Sequence, residues 1–91
     1  MINDLQDLAD FVGAAHPTKE SISRQLYKDT ECGISFEATP EQVLVSGYAE
    51  GSDAELTSHT LEFPFTISDW MTAVAVADEE GCAEWDEANS E

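Results

Sequence analysis

The last segment of the chain, residues 66–91, constrains the fold most, because it fits one long amphipathic helix. Thr66 and Asp69 form a T-x-x-D start, in which the threonine oxygen caps the first turn and the aspartate lies at the positive end of the helix dipole. Residues that recur at helical spacing are expected to face a core: Ile67, Trp70, Met71, Val74, Ala77, Gly81 and Trp85. Carboxylates occupy the other side or the end: Asp78, Glu79, Glu80, Glu84, Asp86 and Glu87. We therefore expect a long C-terminal helix with one buried and one acidic face.

Acidic and basic residues are distributed very unevenly along the chain. The 91 residues include 20 acidic and 3 basic side chains, which gives a formal net charge of -17. Lys19, Arg24 and Lys28 are the cations, so residues 29–91 contain no Lys or Arg. Most carboxylates therefore lack an internal partner and must be solvated, bind cations or meet a basic partner. A chain of this charge is expected to be repelled by nucleic acid and by anionic membranes, since binding their phosphates requires Lys and Arg.

Length and composition predict one folded domain that spans the whole chain. A hydrophobic fraction of 42% is compatible with a modest core. No apolar run approaches the length of a membrane span, and the N-terminus is acidic where a secretory signal would be basic. We therefore expect a cytoplasmic protein. Cys32 and Cys82 could pair, but in that compartment two cysteines are more often free thiols, so we favour two free thiols.

The first third of the chain predicts one clear helix and one ambiguous segment. Residues 3–15 are expected to form a helix, with capping-box spacing between Asn3 and Gln6 and an end imposed by Pro17. Residues 18–29 fit both a helix and a strand, because their apolar positions satisfy both periods. We favour a strand, since the segments that follow read as strands at short spacing.

The middle of the chain predicts an antiparallel β-meander. Residues 33–38 and 42–49 alternate apolar and polar side chains, and Pro40 presets a turn between them. Residues 50–53 read as a hairpin loop, after which residues 55–65 return as a strand. The predicted fold class is α+β: an N-terminal helix, a three- or four-stranded antiparallel meander, and a long C-terminal helix packed on the sheet.

Catalytic and metal-binding motifs are scarce. No hydroxyl has the G-x-S-x-G setting of a hydrolase nucleophile, and the thiols lack the nearby positive charge that favours a reactive thiolate. The run Asp78–Gly81 lacks the ligand alternation of a calcium loop, and the cysteines and histidines lack zinc-like spacing. We expect no enzymatic activity, no metal and no cofactor. A calcium- or magnesium-responsive domain is the least favoured of the alternatives.

Three residues of the C-terminal helix carry specific structural expectations. Trp70 is expected in the core, and Trp85 is expected to be a partly buried cover near the helix end. Gly81 costs roughly 1 kcal/mol in a helix relative to alanine. Its presence indicates either a close contact with the sheet or a break in the helix.

The chain begins with an acidic helix, continues with an antiparallel meander, and ends in a tryptophan-containing helix with the sequence E-W-D-E at residues 84–87. This layout resembles that of the small phage-encoded anti-CRISPR and anti-restriction proteins. Several of those are DNA mimics that fill the nucleic-acid site of a host-defence nuclease, so the resemblance implies an inhibitor in the host cytosol. The implied contact residues lie on the hairpin loop and the helix: Glu50, Asp53, Glu55, Asp78, Glu79, Glu80, Glu84, Asp86 and Glu87. Each carboxylate would replace a phosphate by accepting hydrogen bonds from Arg or Lys.

Two functions fit these observations. The favoured one is DNA mimicry, in which the protein blocks the basic nucleic-acid site of a nuclease or a CRISPR or restriction effector. A compact domain of this length should be about 30 Å across, and that length of duplex DNA carries roughly 18 phosphates, close to the charge of the chain. The alternative is a non-catalytic accessory domain of a halophilic or viral proteome, whose acidity serves solubility.

Overall fold

The computed structural model describes residues 1–26, 31–52 and 56–89 and confirms the α+β fold class. The elements, in chain order, are α1 (Leu5–Val12), α2 (Lys19–Leu26), β1 (Cys32–Ala38), β2 (Gln42–Ala49), β3 (Ser58–Glu62) and α3 (Ile67–Ala88). The three strands form an antiparallel sheet in the order β1-β2-β3. As predicted, the long helix α3 packs along the sheet, chiefly on β1 and β2.

Helix α1 is shorter than predicted and has a different cap. Asp4, not Asn3, is the N-cap, and its carboxylate accepts a hydrogen bond from the Asp7 N–H at 2.9 Å. Asp7 in turn accepts a hydrogen bond from the backbone N–H of Asn3, the residue before the cap, at 3.0 Å. The helix ends at Gly13, whose φ of 80° is the left-handed conformation that favours glycine. Pro17 is therefore not what ends it.

The prediction of a strand over residues 18–29 is wrong for the part that the structure describes. Residues 19–26 form α2, and the Thr18 hydroxyl accepts a hydrogen bond from the Ser21 N–H at 3.2 Å at its start. Ile22 is fully buried and Leu26 is half-buried, which is the four-residue spacing of one helical face. Residues 27–29 of the predicted strand lie outside the described residues. Within the described chain the sheet has three strands, so the three-stranded alternative is the correct one.

The strands agree with the predicted meander, except at the end of the last one. Strand β2 has the predicted bounds, and β1 begins one residue before the predicted start. Strand β3 covers Ser58–Glu62 only, whereas residues 55–65 were predicted. The Phe63–Pro64 peptide bond is cis, and proline has no N–H to donate to a ladder. Phe65 instead exchanges backbone hydrogen bonds with Ile2, at 2.8 and 3.0 Å. Residue 55 lies outside the described residues.

The core lies between one face of the sheet and the three helices. The inner face presents Ile34, Phe36, Val43 and Val45, all buried. Trp70 lies against this face and is 3% exposed, which confirms its predicted place in the core. Its ring meets Phe36 edge-on at 6.0 Å between centroids and stacks on Phe65 at 6.4 Å. Such aromatic pairs add to the free energy that burial alone supplies.

The buried stripe of α3 differs from the predicted one. Ala73 is buried although it was not predicted to be, while Ile67 and Met71 are 41% and 60% exposed. The stripe runs through Trp70, Ala73, Ala77 and Gly81. Small residues dominate it because the helix backbone lies very close to the sheet. Trp85 is half-buried, as predicted.

Gly81 is where α3 approaches the sheet most closely, and the helix continues through it without a break. A Cβ atom at Gly81 would lie 2.6 Å from the Tyr48 nitrogen, 2.7 Å from the Tyr48 oxygen, and also against the Gly33 oxygen. On the facing strand, a Cβ at Gly47 would lie 2.6 Å from the nitrogen of Gly81. Two glycines therefore face each other across the helix–sheet contact, which confirms the close-contact alternative.

The expectation of two free thiols is wrong, because Cys32 and Cys82 form a disulfide with a Cα–Cα distance of 4.9 Å. The close approach at Gly81 brings the next residue, Cys82, within reach of the first residue of β1. The bond joins residues that are 50 positions apart in the sequence. Free thiols were expected on the premise that the protein is cytosolic, whereas disulfides persist in oxidising compartments. The bond therefore does not support that premise, and the cytoplasmic localisation stays a prediction.

Candidate functional site

The molecule is longer and thinner than the predicted 30 Å globule. Its principal extents are 44 × 21 × 19 Å. The described residues include 16 carboxylates and two cations, Lys19 and Arg24, which gives them a formal charge of -14. Divided over the long axis, this is about one net charge per 3 Å, compared with one per ~1.7 Å of duplex DNA and one per ~3.4 Å of a single strand. The linear charge density is therefore close to that of one nucleic-acid strand.

The structure places the predicted contact residues in three groups. Five are exposed: Glu50, Asp78, Glu79, Asp86 and Glu87. Two, Glu80 and Glu84, are half-buried against the sheet side of α3. The remaining two, Asp53 and Glu55, lie outside the described residues. The exposed five are therefore the carboxylates most available to a partner.

The half-buried carboxylates accept hydrogen bonds within the protein. Glu80 Oε1 lies 3.1 Å from His59 Nε2 on β3. Glu84 Oε1 accepts a hydrogen bond from Ser52 Oγ at 2.7 Å, and Ser52 belongs to the loop that follows β2. Both contacts join α3 to another element, so these carboxylates help to position the helix as well as to charge its surface.

The exposed carboxylates of α3 do not form a single stripe. Glu79 and Asp86 are seven residues apart, which is about two helical turns, so they share the outward face. Asp78 is turned by about 100° from Glu79, towards β1. Glu87 is seven residues after Glu80 and shares its side, towards β3. Negative charge therefore surrounds the second half of α3 on three sides.

The loop after β2 and the last turns of α3 lie at one end of the molecule. Glu50 donates its backbone N–H to the Glu31 oxygen at 2.8 Å, and the Ser52–Glu84 hydrogen bond joins the same loop to α3. We define the acidic end by these residues: Glu31, Glu50, Asp78, Glu79, Glu80, Glu84, Asp86 and Glu87. Sequence reasoning missed Glu31, although its position just before β1, opposite the end of β2, was a usable signal. It also missed the two residues that hydrogen-bond to carboxylates, His59 and Ser52.

Lys19, one of the two described cations, lies away from the acidic end. Both belong to α2, and Lys19 forms an ion pair with Glu37 at 2.8 Å. Glu37 is near the opposite end of β1 from Glu31, next to the β1–β2 turn. The pair is exposed and contributes little to stability. Its position shows that Lys19 lies near the opposite end of β1 from Glu31.

The acidic end is electrostatically unfavourable, and three contacts hold it in shape. The last turn of α3 contains acidic residues and no basic one, although the C-terminus of a helix favours cations. The Cys32–Cys82 disulfide, the backbone contact at Gly81 and the Ser52–Glu84 hydrogen bond oppose this repulsion. The backbone that carries the carboxylates is thus held in place by contacts that do not require Lys or Arg.

Comparison of the chain with protein-family models, with curated protein sequences and with solved structures finds no match. Over residues 1–26, 31–52 and 56–89, no helix is both long and apolar enough to cross a membrane. In the same part of the chain, no three His, Cys, Asp or Glu side chains converge as ligands for a metal ion. The geometry and charge of the acidic end are therefore the basis for a functional proposal.

Proposed function

We propose that this protein is an inhibitor that binds a basic nucleic-acid site of another protein through its acidic end. The observation that carries the proposal is a surface of eight carboxylates at one end of the molecule, on backbone that the Cys32–Cys82 disulfide and the Ser52–Glu84 hydrogen bond hold together. Following the resemblance noted above, the partner is a nuclease or a CRISPR or restriction effector. No cofactor is needed for this mode of action.

Phosphate replacement explains why the acidic end is charged and why its backbone is held together. Exposed carboxylates such as Glu79, Asp86 and Glu87 accept charge-assisted hydrogen bonds from Arg and Lys, as phosphates do. Holding the backbone that carries them in place before binding reduces the entropy lost in the complex. Because the target site is built for nucleic acid, occupation by this surface excludes the natural ligand. Affinity should fall steeply with added salt.

The solubility alternative is supported by one observation, which is that carboxylates also cover surfaces far from the acidic end. Glu20, Glu41 and Glu62 are exposed on α2, the β1–β2 turn and β3. Salt dependence of folding separates the two functions. If the protein is an inhibitor, its melting temperature should rise as NaCl increases from very low to moderate concentration and then level off. The reason is that salt screens the repulsion between carboxylates, over a length of ~10 Å at 0.1 M. A halophilic domain would need molar salt to fold, and a flat response would contradict both.

A displacement experiment tests the proposal with host lysate as the source of the target. The protein is immobilised, exposed to the lysate, and washed with a duplex oligonucleotide and then with salt. We expect the duplex to elute a basic nucleic-acid-binding protein that a Glu79→Gln, Asp86→Asn, Glu87→Gln bait retains poorly. Retention of that protein through the duplex wash, or equal retention by both baits, would show that the acidic end does not act in place of nucleic acid.

A further inference from the structure

A second surface, distinct from the acidic end in its chemistry, is an apolar groove of 470 Å³ between α3 and β1. Its walls include the side chains of Phe11, Leu26, Ile34, Trp70, Met71 and Val74. Met71 is 60% exposed and Phe11 is 44% exposed, so large apolar groups here face solvent. The sequence pattern predicted that Met71 faces the core. Met71 instead lies outside the buried stripe of α3, and its exposed side chain lines the groove.

The size and lining of the groove match those of sites that bind apolar groups. Binding clefts have volumes of roughly 300–1,000 Å³ and are lined mainly by apolar and aromatic side chains with a few polar groups. Methionine is common on surfaces that bind amphipathic helices, because its flexible thioether adapts to different partners.

Charge restricts what the groove can bind. Asp78 is the charged residue among the described groove-lining residues. The groove also lies in the field of a described surface with 16 carboxylates and two cations. A second copy of this chain or an anionic lipid would bring like charge to the groove. The favoured occupant therefore combines an apolar face with positive charge.

We propose that the groove binds a basic amphipathic helix of a partner protein. The apolar face of that helix would enter between Phe11 and Met71, in the helix-in-groove mode that uses anchors at i, i+3 or i+4 and i+7. Its Lys and Arg side chains would meet Asp78 at the rim. This inference goes beyond nucleic-acid mimicry, since it requires neither a phosphate-binding site nor displacement of nucleic acid. Because Asp78 belongs to both surfaces, one partner can engage the groove and the acidic end together.

Designed peptides test the groove directly. The probe is a Leu/Lys peptide of about 14 residues, long enough to form a helix on binding, with its leucines on one face. The control peptide has the same composition in scrambled order, which keeps the charge and removes the apolar face. Met71→Gln removes a groove anchor at an exposed position. Val76→Gln makes the same change elsewhere on the surface of α3, where Val76 is 38% exposed.

We expect the patterned peptide to bind the wild-type protein at least tenfold more tightly than the scrambled one, as measured by isothermal titration calorimetry. Met71→Gln should lower the affinity for the patterned peptide about tenfold. A tenfold change in affinity corresponds to ~1.4 kcal/mol, and burial of a methionine side chain contributes at least that much. Val76→Gln should leave its affinity unchanged. Equal affinity for the two peptides, or an equal loss of affinity in the two variants, would refute the proposal that the groove binds an amphipathic helix. The assay contains no nucleic acid, so its outcome is independent of the displacement experiment.

Discussion

Gly81→Ala should destabilise the protein although alanine favours helices. The added Cβ would overlap the Tyr48 nitrogen and oxygen, at 2.6 and 2.7 Å, and the Gly33 oxygen. All three are backbone atoms of paired strands, so no side-chain rotation relieves the clash. Helix α3 must move away from the sheet at the point where Cys82 is bonded to Cys32.

The magnitude follows from two opposing effects. Overpacking of a well-packed contact costs about 1–3 kcal/mol, and a contact made by backbone on both sides should lie at the upper end of that range. The higher helix propensity of alanine offsets about 1 kcal/mol of this cost. The net loss is therefore about 2 kcal/mol, which corresponds to a fall of roughly 8–16 °C in melting temperature for a domain of this size.

Thermal and urea denaturation, followed by far-UV circular dichroism, would measure this loss. Ala83→Gly is the matched control, because Ala83 is exposed on the same helix. This variant should be less stable by only the ~1 kcal/mol difference in helix propensity between alanine and glycine. Gly47→Ala should also destabilise, and the double substitution should cost less than the sum, since both changes separate the same two surfaces. A rise in melting temperature for Gly81→Ala would refute the close-contact account.

Three further predictions concern single contacts. Trp70→Ala should cost about 3–5 kcal/mol, because the buried ring leaves a large cavity, whereas Trp85→Ala should cost clearly less; equal losses in urea denaturation would mean that the faces of α3 are assigned wrongly. Reduction of the Cys32–Cys82 bond should lower stability by up to about 4 kcal/mol, from the loop of 50 residues that it closes; two thiols titratable in the non-reduced protein would disprove the pairing. Thr66→Ala should cost about 1 kcal/mol, because its hydroxyl accepts the Asp69 N–H at 3.0 Å; an unchanged denaturation midpoint would show that this cap is not needed.

Features encoded by short-range patterns could be predicted from the sequence. The T-x-x-D start of α3 and the alternation in β2 are local signals, and both agree with the structure. The strand favoured for residues 19–26 is wrong, because Ile22 and Leu26 fit both helical and strand periods over so short a segment and the later strands decided the choice. The capping hydroxyl of Thr18 was the local signal that favoured the helix.

Contacts between distant residues could not be predicted in the same way. The disulfide joins positions 50 residues apart, and it depends on the close approach that Gly81 permits. Sequence reasoning identified the carboxylates of α3 from composition and period. It could not show that Glu80 and Glu84 accept hydrogen bonds from residues 21 and 32 positions away, because that depends on how α3 lies on the sheet.

The central claim is tested most directly by competition between this protein and labelled duplex DNA for a purified target. Two charge-matched triple variants are compared with the wild type. One is Glu79→Gln, Asp86→Asn, Glu87→Gln in the acidic end, and the other replaces three exposed glutamates elsewhere by glutamine, at Glu20, Glu41 and Glu62.

We predict that the wild-type protein displaces the duplex and that the acidic-end variant binds the target much more weakly than the control variant, because charges inside a contact matter more than charges that only steer approach. Equal losses in the two variants, or binding of the protein without release of the duplex, would contradict the proposal that its carboxylates stand in for phosphates.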